Sequence, residues 1–161
     1  MNRNYVENCM LKAPGLAISI GGSALVKYAN TVMCKANGII GAPVTTADCP
    51  SLATSLGRNG AAITNIPTLK ARYFTLLATV NQTTSAVTFS WVHGDDFSEI
   101  SDIGRVIYIN DRNMTDMKNV AIVGYVCIIN GTAADFIPGT TVLDVALSSV
   151  VYVDAFGFTG M

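Results

Sequence analysis

Charge is scarce in this sequence. Lysine, arginine, aspartate and glutamate make up 13% of its 161 residues, about half of the roughly 25% that is typical of soluble domains. Ten basic and eleven acidic residues leave a formal net charge of −1. This balance argues against the strongly basic surface that a general nucleic-acid binder needs. We therefore expect no nucleic-acid partner.

Motifs for catalysis and for cofactor binding are also missing. The only histidine is His93, and the segment Gly21–Leu25 lacks the closing glycine of a nucleophile elbow. The sequence contains no phosphate-binding loop and no dinucleotide-binding glycine motif, and its four cysteines include no Cys-x-x-Cys pair. We expect no enzyme, no cofactor and no resident metal. The acidic segment 95–102 leaves calcium binding open, because that ion prefers oxygen ligands.

Long hydrophobic runs are absent as well. The longest, Val120–Ile129, has ten residues, whereas a membrane-spanning helix needs about 20. The first residues do not show the basic stretch and apolar stretch that mark a signal peptide. We therefore expect no membrane partner. Reduced cysteines would suit a protein that is assembled in a cytosol, although the count of four leaves a disulfide open.

Apolar residues are abundant, at 50% of the chain. A surface with few charges is poorly protected against association, so we expect part of it to be buried against copies of this chain or against another protein. A monomer with a neutral, threonine-rich surface is the alternative. Residues 1–94 carry seven basic and two acidic side chains, and residues 95–161 carry three and nine. This segregation of charge either orients unlike faces in an assembly or disappears because the two halves of the chain interleave in the fold.

Many β-branched residues and frequent turn signals predict an all-β fold. Asn37-Gly38 is the preferred pair for a two-residue hairpin turn. The strongest predicted strands are 72–80, 85–92 and Val120–Ile129, the last in a central position. Weaker strands are predicted at 16–20, 61–66, 105–109 and 145–154, and Asp48 is predicted to cap a helical turn over 50–56. We expect an antiparallel β-sandwich or barrel of about nine strands over residues 15–155, with an extended N-terminal arm (1–14) and an apolar C-terminal tail (156–161).

Several single residues can be placed from their surroundings in the sequence. Cys34 and Cys127 lie in apolar strands and are expected to be small buried side chains, whereas Cys9 and Cys49 lie in segments that we expect to be flexible. Trp91 is predicted to be half-buried, with its ring N–H on a partner. His93 is predicted to be a loop or interface residue.

Two segments carry a recognisable pattern. The first is Leu11–Val32, and the second, Val123–Asp144, has an apolar strand, an Asn-Gly-Thr turn, a phenylalanine and a Gly-Thr-Thr-x-Leu-Asp stretch. Val150–Asp154, ahead of a Phe-Gly tail, fits the same pattern. Together these segments resemble small virion structural proteins of tailed bacteriophages, while the middle, 93–119, is longer than in that group.

The resemblance implies a capsid decoration (cement) or accessory structural protein on the capsid exterior, assembled in the host cytoplasm. Such a protein forms a homo-oligomer, often a trimer, and binds the major capsid protein. The apolar contact residues would be Tyr5 and Val6 in the arm and Phe156 and Phe158 in the tail. The alternative is a host-surface or glycan-binding module of a head fibre or tail fibre, with a shallow site lined by Trp91, His93 and Asp95.

Overall fold

A computed structural model describes residues 9–12, 15–18, 23–45, 47–57, 60–98, 119–143 and 149–154. These residues form ten strands and one 3₁₀ turn at Leu52–Thr54, with no α-helix among them, so the predicted all-β class is confirmed. The strands are β1 Cys9–Lys12, β2 Leu16–Ile18, β3 Val26–Tyr28, β4 Met33–Ala36, β5 Ile39–Ile40, β6 Ala47–Asp48, β7 Ala71–Val80, β8 Val87–His93, β9 Val120–Ile129 and β10 Ser149–Asp154.

The strands form three sheets, and every pairing between named strands is antiparallel. The largest has the order β10-β9-β7-β8, and the two smaller sheets have the orders β1-β4-β5 and β2-β3-β6. β9 pairs with β7 on one side and β10 on the other. The prediction that the most apolar strand is central is therefore confirmed.

The main hydrophobic core lies between one face of the four-stranded sheet and strands β3 and β4. Side chains from both layers form one buried cluster, as expected when alternate residues of a strand point to opposite sides. The other face of the sheet, called here the second face, carries two smaller buried clusters around Leu77 and Cys127. Both faces of this sheet are therefore apolar.

A β-bulge interrupts β9. Leu76 of β7 lies opposite Gly124, and the next residue, Leu77, lies opposite Ile122, so that Val123 is an extra residue in β9. Before the bulge Ala121 faces the main core, and after it Val126 does. The extra residue changes the phase of the alternation, which explains why the sequence of β9 shows no clear period of two.

The turn between β4 and β5 agrees with its prediction. Asn37 and Gly38 connect the two strands, with φ angles of 50° and 77°. Positive φ at both positions is what a type I′ hairpin turn requires.

The helical turn predicted over 50–56 is present but shorter and capped differently. It spans Leu52–Thr54, and the Ser51 hydroxyl accepts from the backbone N–H of Ala53. Asp48 instead belongs to β6 and pairs with Lys27 at 3.2 Å. The prediction of Asp48 as the cap is wrong because a β-bridge, not a loop, holds that residue.

Some predictions fall partly or wholly outside the described residues. Cys9–Lys12, in the segment predicted as an N-terminal arm, form β1 and pair with β4. Tyr5, Val6, Phe156 and Phe158 lie outside the described residues, as do the predicted strand at 105–109 and the end of the acidic segment. Residues 61–66 form only isolated bridges, at Ala62 and Ile66. Among the described residues, no helix has the length and apolar character to span a membrane.

Candidate functional site

A cleft of about 270 Å³ lies where β8 ends and β7 begins. Its residues come from three places: the segment after the 3₁₀ turn, the start of β7, and the segment that follows β8. One wall is made of small residues and the other of polar side chains. The lining residues are Gly57, Ala61, Ala62, Thr64, Arg72, His93, Gly94, Asp95 and Asp96.

Arg72 forms the floor of the cleft. Its side chain is buried, and Nε donates to Oδ1 of Asp96 at 2.6 Å. Nη1 donates to the carbonyl of Thr64 at 2.7 Å, and Nη2 to the hydroxyl of Thr64 at 3.3 Å and the carbonyl of Asn65 at 3.2 Å. A buried guanidinium must have its donors satisfied. Four of its five N–H donors are engaged within the protein, so Arg72 holds the cleft walls together.

His93 is a buried residue of the fold. It is the last residue of β8, only 8% exposed, and its Nδ1 lies 2.8 Å from the Ser55 hydroxyl. A Cβ on Gly57 would lie 2.7 Å from His93 Nε2, so only glycine fits beside the ring. The prediction of a loop or interface histidine is wrong, because the apolar side of β8 carries this residue into the interior.

Burial lowers the pKa of His93 to about 4. The Arg72 guanidinium acts in the same direction, and the carboxylates of Asp96 and Asp95 oppose it. Loss of hydration disfavours a charged imidazolium, so the ring is neutral at pH 7. Its neutral form accepts the hydroxyl proton of Ser55 when Nδ1 is unprotonated.

The Ser55–His93 pair has the contact of a nucleophile and its base but not the access. Ser55 is 1% exposed and does not line the cleft. A serine nucleophile must reach its substrate, and this hydroxyl cannot. The pair connects the 3₁₀ turn to β8.

Trp91 is more deeply buried than predicted. It is 1% exposed, packs edge-on against Phe74, and donates its ring N–H to the carbonyl of Pro50 at 2.7 Å. The predicted partner for the N–H is confirmed, but the predicted half-burial is wrong because the ring points into the main core. A buried ring cannot stack on a sugar, whereas His93 and Asp95 do line one cleft.

Acidic residues and cysteines do not gather into a metal site in the described part of the chain. No group of three or more potential ligands occurs there. Cys34, Cys49 and Cys127 are buried thiols, which confirms the expectation for Cys34 and Cys127. Cys49 is buried as well, and burial together with the nearby Asp48 raises its pKa to about 12. Such a thiol is inert at pH 7.

A second surface feature was missed in the sequence. Leu69 is 74% exposed and has a φ of +64°, in a turn closed by a hydrogen bond from the N–H of Lys70 to the carbonyl of Pro67. Glycine or asparagine normally occupies this conformation, because a Cβ strains it. We call residues 67–70 the Leu69 turn. Sequence patterns gave no signal for it, because leucine is not a turn residue.

The Leu69 turn is rigidly held. Leu69 N–H donates to the carbonyl of Asn130, and Asn130 N–H donates to the carbonyl of Lys70. The buried Asn130 side chain donates to the carbonyls of Ile66 and Ala134, both at 2.9 Å. The turn therefore presents its leucine from a fixed base.

Comparison with protein-family models, with curated proteins and with solved structures found no match to this chain.

Proposed function

We propose that this chain is a capsid decoration or accessory structural protein of a tailed bacteriophage, which acts by binding the major capsid protein and copies of itself on the capsid exterior. The resemblance of Leu11–Val32 and Val123–Asp144 to such proteins supports this, as do the antiparallel all-β fold and the low charge. In this proposal the three sheets belong to one sandwich, and Tyr5, Val6, Phe156 and Phe158 add apolar contacts from the two termini.

The exposed, strained Leu69 is the observation that carries the proposal. An exposed leucine gains nothing from burial, and a positive φ costs about 1–2 kcal/mol for a residue with a Cβ. A strained residue whose side chain gains nothing from burial is best explained by a gain made elsewhere. Burial against a protein partner supplies that gain, at roughly 25 cal/mol per Å² of apolar area.

Other apolar side chains lie beside Leu69. Ile66 and Phe136 form a reciprocal antiparallel bridge and are both buried. Their neighbours Pro67 and Ile137 therefore point outward, and Ile137 is 44% exposed. These two residues lie diagonally across the bridge from each other, at a distance of about 7–8 Å. We therefore group Pro67, Leu69 and Ile137 as one apolar patch.

Replacement of Leu69 separates binding from folding. Leu69→Asn removes the apolar group and supplies a residue that tolerates positive φ. We expect the variant to be more stable by about 1 kcal/mol in urea denaturation, and to bind at least tenfold more weakly in cosedimentation with expanded empty heads of the same phage. A matched control is Leu56→Asn, which also removes an exposed leucine but lies away from the patch.

Two outcomes would contradict the proposal. Wild-type protein that does not sediment with expanded heads at any concentration would refute capsid binding, and equal binding by wild type and Leu69→Asn would refute the patch as the contact. A chain that lacks residues 1–8 tests Tyr5 and Val6 in the same assay while leaving β1 intact.

Glycan binding is the second candidate, and the cleft is the observation that favours it. His93 and Asp95 share its lining with Asp96, and carboxylates at the edge of a cleft can accept hydrogen bonds from sugar hydroxyls. A glycan array would show a signal for wild type that is lost in Asp95→Asn and kept in Asp135→Asn, an exposed control. Equal signals for the three proteins, or none, would exclude this function.

A further inference from the structure

The outer edge of β8 is open over a short stretch. At its start, Ala42 N–H donates to the carbonyl of Ser85 at 2.8 Å. At its end, Leu56 bridges the strand, since Leu56 N–H donates to the Trp91 carbonyl and His93 N–H donates to the Leu56 carbonyl. Between these two contacts lie Val87–Ser90, which we call the β8 window.

The backbone of Val87 and Phe89 points outward in this window. Val87 lies opposite Val80 in the register with β7, but Val80 donates its N–H away from β8, to the carbonyl of Asn119. Val80 and Val87 therefore form a pair that is not hydrogen-bonded. Because the two kinds of pair alternate along an antiparallel ladder, Phe89, two residues further on, also belongs to a pair that is not hydrogen-bonded. In the described part of the chain no hydrogen bond reaches the outward N–H or C=O of Val87 or Phe89.

The window lacks the protection that edge strands usually carry. Soluble proteins blunt such edges with lysine, proline, bulges or a covering segment. The hairpin from Asn81 to His93 has no charged residue and no proline, and its strand pairing with β7 is regular over seven residue pairs. Thr88 and Ser90 are exposed on the second face. This edge is suited to pairing with another strand.

We propose that the β8 window pairs with the same window of a second copy of this chain, as an antiparallel two-fold contact. With Thr88 on the two-fold axis, Val87 lies opposite Phe89 of the second copy, and each of these two pairs exchanges two hydrogen bonds. The four outward groups of each copy are then satisfied. The absence of charge in the hairpin makes identical strands compatible, because no like charges face each other.

The contact continues the four-stranded sheet across the axis. A two-fold contact gives a dimer by itself, and within a larger assembly it links neighbouring units. It requires neither capsid binding nor the Leu69 turn, so a failure of capsid binding and a failure of this contact can be told apart.

The two-fold geometry makes a sharp prediction for a cysteine at position 88. The two residues on the axis form a pair that is not hydrogen-bonded, with Cα atoms about 4.5 Å apart, which is within the range that a disulfide spans. In a Cys9→Ser background, Thr88→Cys should form a covalent dimer under mild oxidation. Thr83 is exposed in the adjacent turn, and Thr83→Cys should form at least tenfold less covalent dimer. Equal yields would overturn the proposal.

A charge at the same position should have the opposite effect. Thr88→Lys places two lysines face to face on the axis, and we expect the dimer dissociation constant to rise at least tenfold in analytical ultracentrifugation. Thr83→Lys should leave it unchanged, and circular dichroism should show the same fold for all three proteins. An unaltered dissociation constant in Thr88→Lys would contradict the contact, as would a wild-type protein that is monomeric at every concentration.

Hydrogen exchange on the unmodified protein gives an independent readout. The amides of Val87 and Phe89 should exchange rapidly in dilute, monomeric protein and become protected at high concentration. Thr88, which pairs inward with Thr79, should be protected at both. Rapid exchange of Val87 and Phe89 at all concentrations would overturn the proposal even if a dimer forms through another surface.

Discussion

At the scale of single residues, His93 shows how the fold changes a side chain. It lies at the end of a strand, its Nδ1 is held by Ser55, and its Nε2 lies so close to Gly57 that a Cβ at position 57 would clash with it. Desolvation, assisted by Arg72, lowers its pKa to about 4 from an ordinary 6.5. The neutral ring is therefore part of the folded structure, and its protonation opposes folding.

This lowered pKa predicts a specific loss of stability in acid. Between pH 6.5 and pH 4 the unfolded chain binds a proton at His93 and the folded chain does not, so the free energy of unfolding falls as the pH falls through this window. Above pH 6.5 the residue contributes no pH dependence. We expect wild type to lose about 2 kcal/mol more than His93→Gln between pH 7 and pH 4.5, measured by urea denaturation. Parallel pH curves for the two proteins would show that His93 titrates normally in the fold.

At the scale of elements, the Arg72 side chain joins three segments of the chain. It belongs to β7, and its guanidinium binds the carbonyls of Thr64 and Asn65 on one side and Asp96 on the other. These contacts fix both walls of the cleft. The planar fork of arginine satisfies several acceptors at once, which a lysine ammonium cannot do in the same geometry.

Arg72→Lys should therefore destabilise the protein although it keeps the charge. We expect the free energy of unfolding to fall by about 2 kcal/mol, because buried acceptors lose their donors. Lys70→Met, two residues away, removes only an exposed contact to Ser98 and should change stability by less than about 0.5 kcal/mol. A loss in Arg72→Lys no larger than in Lys70→Met would mean that the guanidinium contacts contribute little.

The elements themselves were predictable where local signals agreed. Val120–Ile129 was predicted with its exact bounds, and Asn37-Gly38 as a hairpin turn, because apolar runs and Asn-Gly pairs act locally. Residues 61–66 were not: their hydrogen bonds go to distant partners, as from Ile66 to Phe136. Of the three residues predicted to line a shallow site, His93 and Asp95 line the cleft and Trp91 does not. Arg72 and Gly57 reach the cleft through pairing between distant parts of the chain, which no local sequence pattern encodes.

At the scale of the whole molecule, the scarcity of charge and the two apolar faces of one sheet belong together. A sheet with a single core needs polar side chains on its outer face, whereas the second face here carries clusters around Leu77 and Cys127. Apolar residues are thus used on both sides of the central strands. The few charges that remain give little electrostatic repulsion between copies of the chain, which favours the proposed contact between them.

Self-association should make the melting temperature depend on protein concentration. Anything that binds only the folded chain stabilises it by mass action, and a second copy is such a ligand. We expect the melting temperature of wild type to rise by about 2 °C for each tenfold increase in concentration, measured by scanning calorimetry, and that of Thr88→Lys to stay constant. A constant value for wild type would indicate a monomer over the range tested.

The bulge in β9 has a consequence for the length of that strand. Val123 is one residue more than β7 can match. Odd-numbered residues therefore face the main core before the bulge, and even-numbered residues face it after the bulge. Removing Val123 would restore a regular ladder and leave both halves unchanged, because Ile122 and Gly124 would still lie opposite Leu77 and Leu76. Elsewhere in β9 the loss of one residue would turn the rest of the strand over, so position 123 is the place where the strand can change in length by one residue without altering what either side presents.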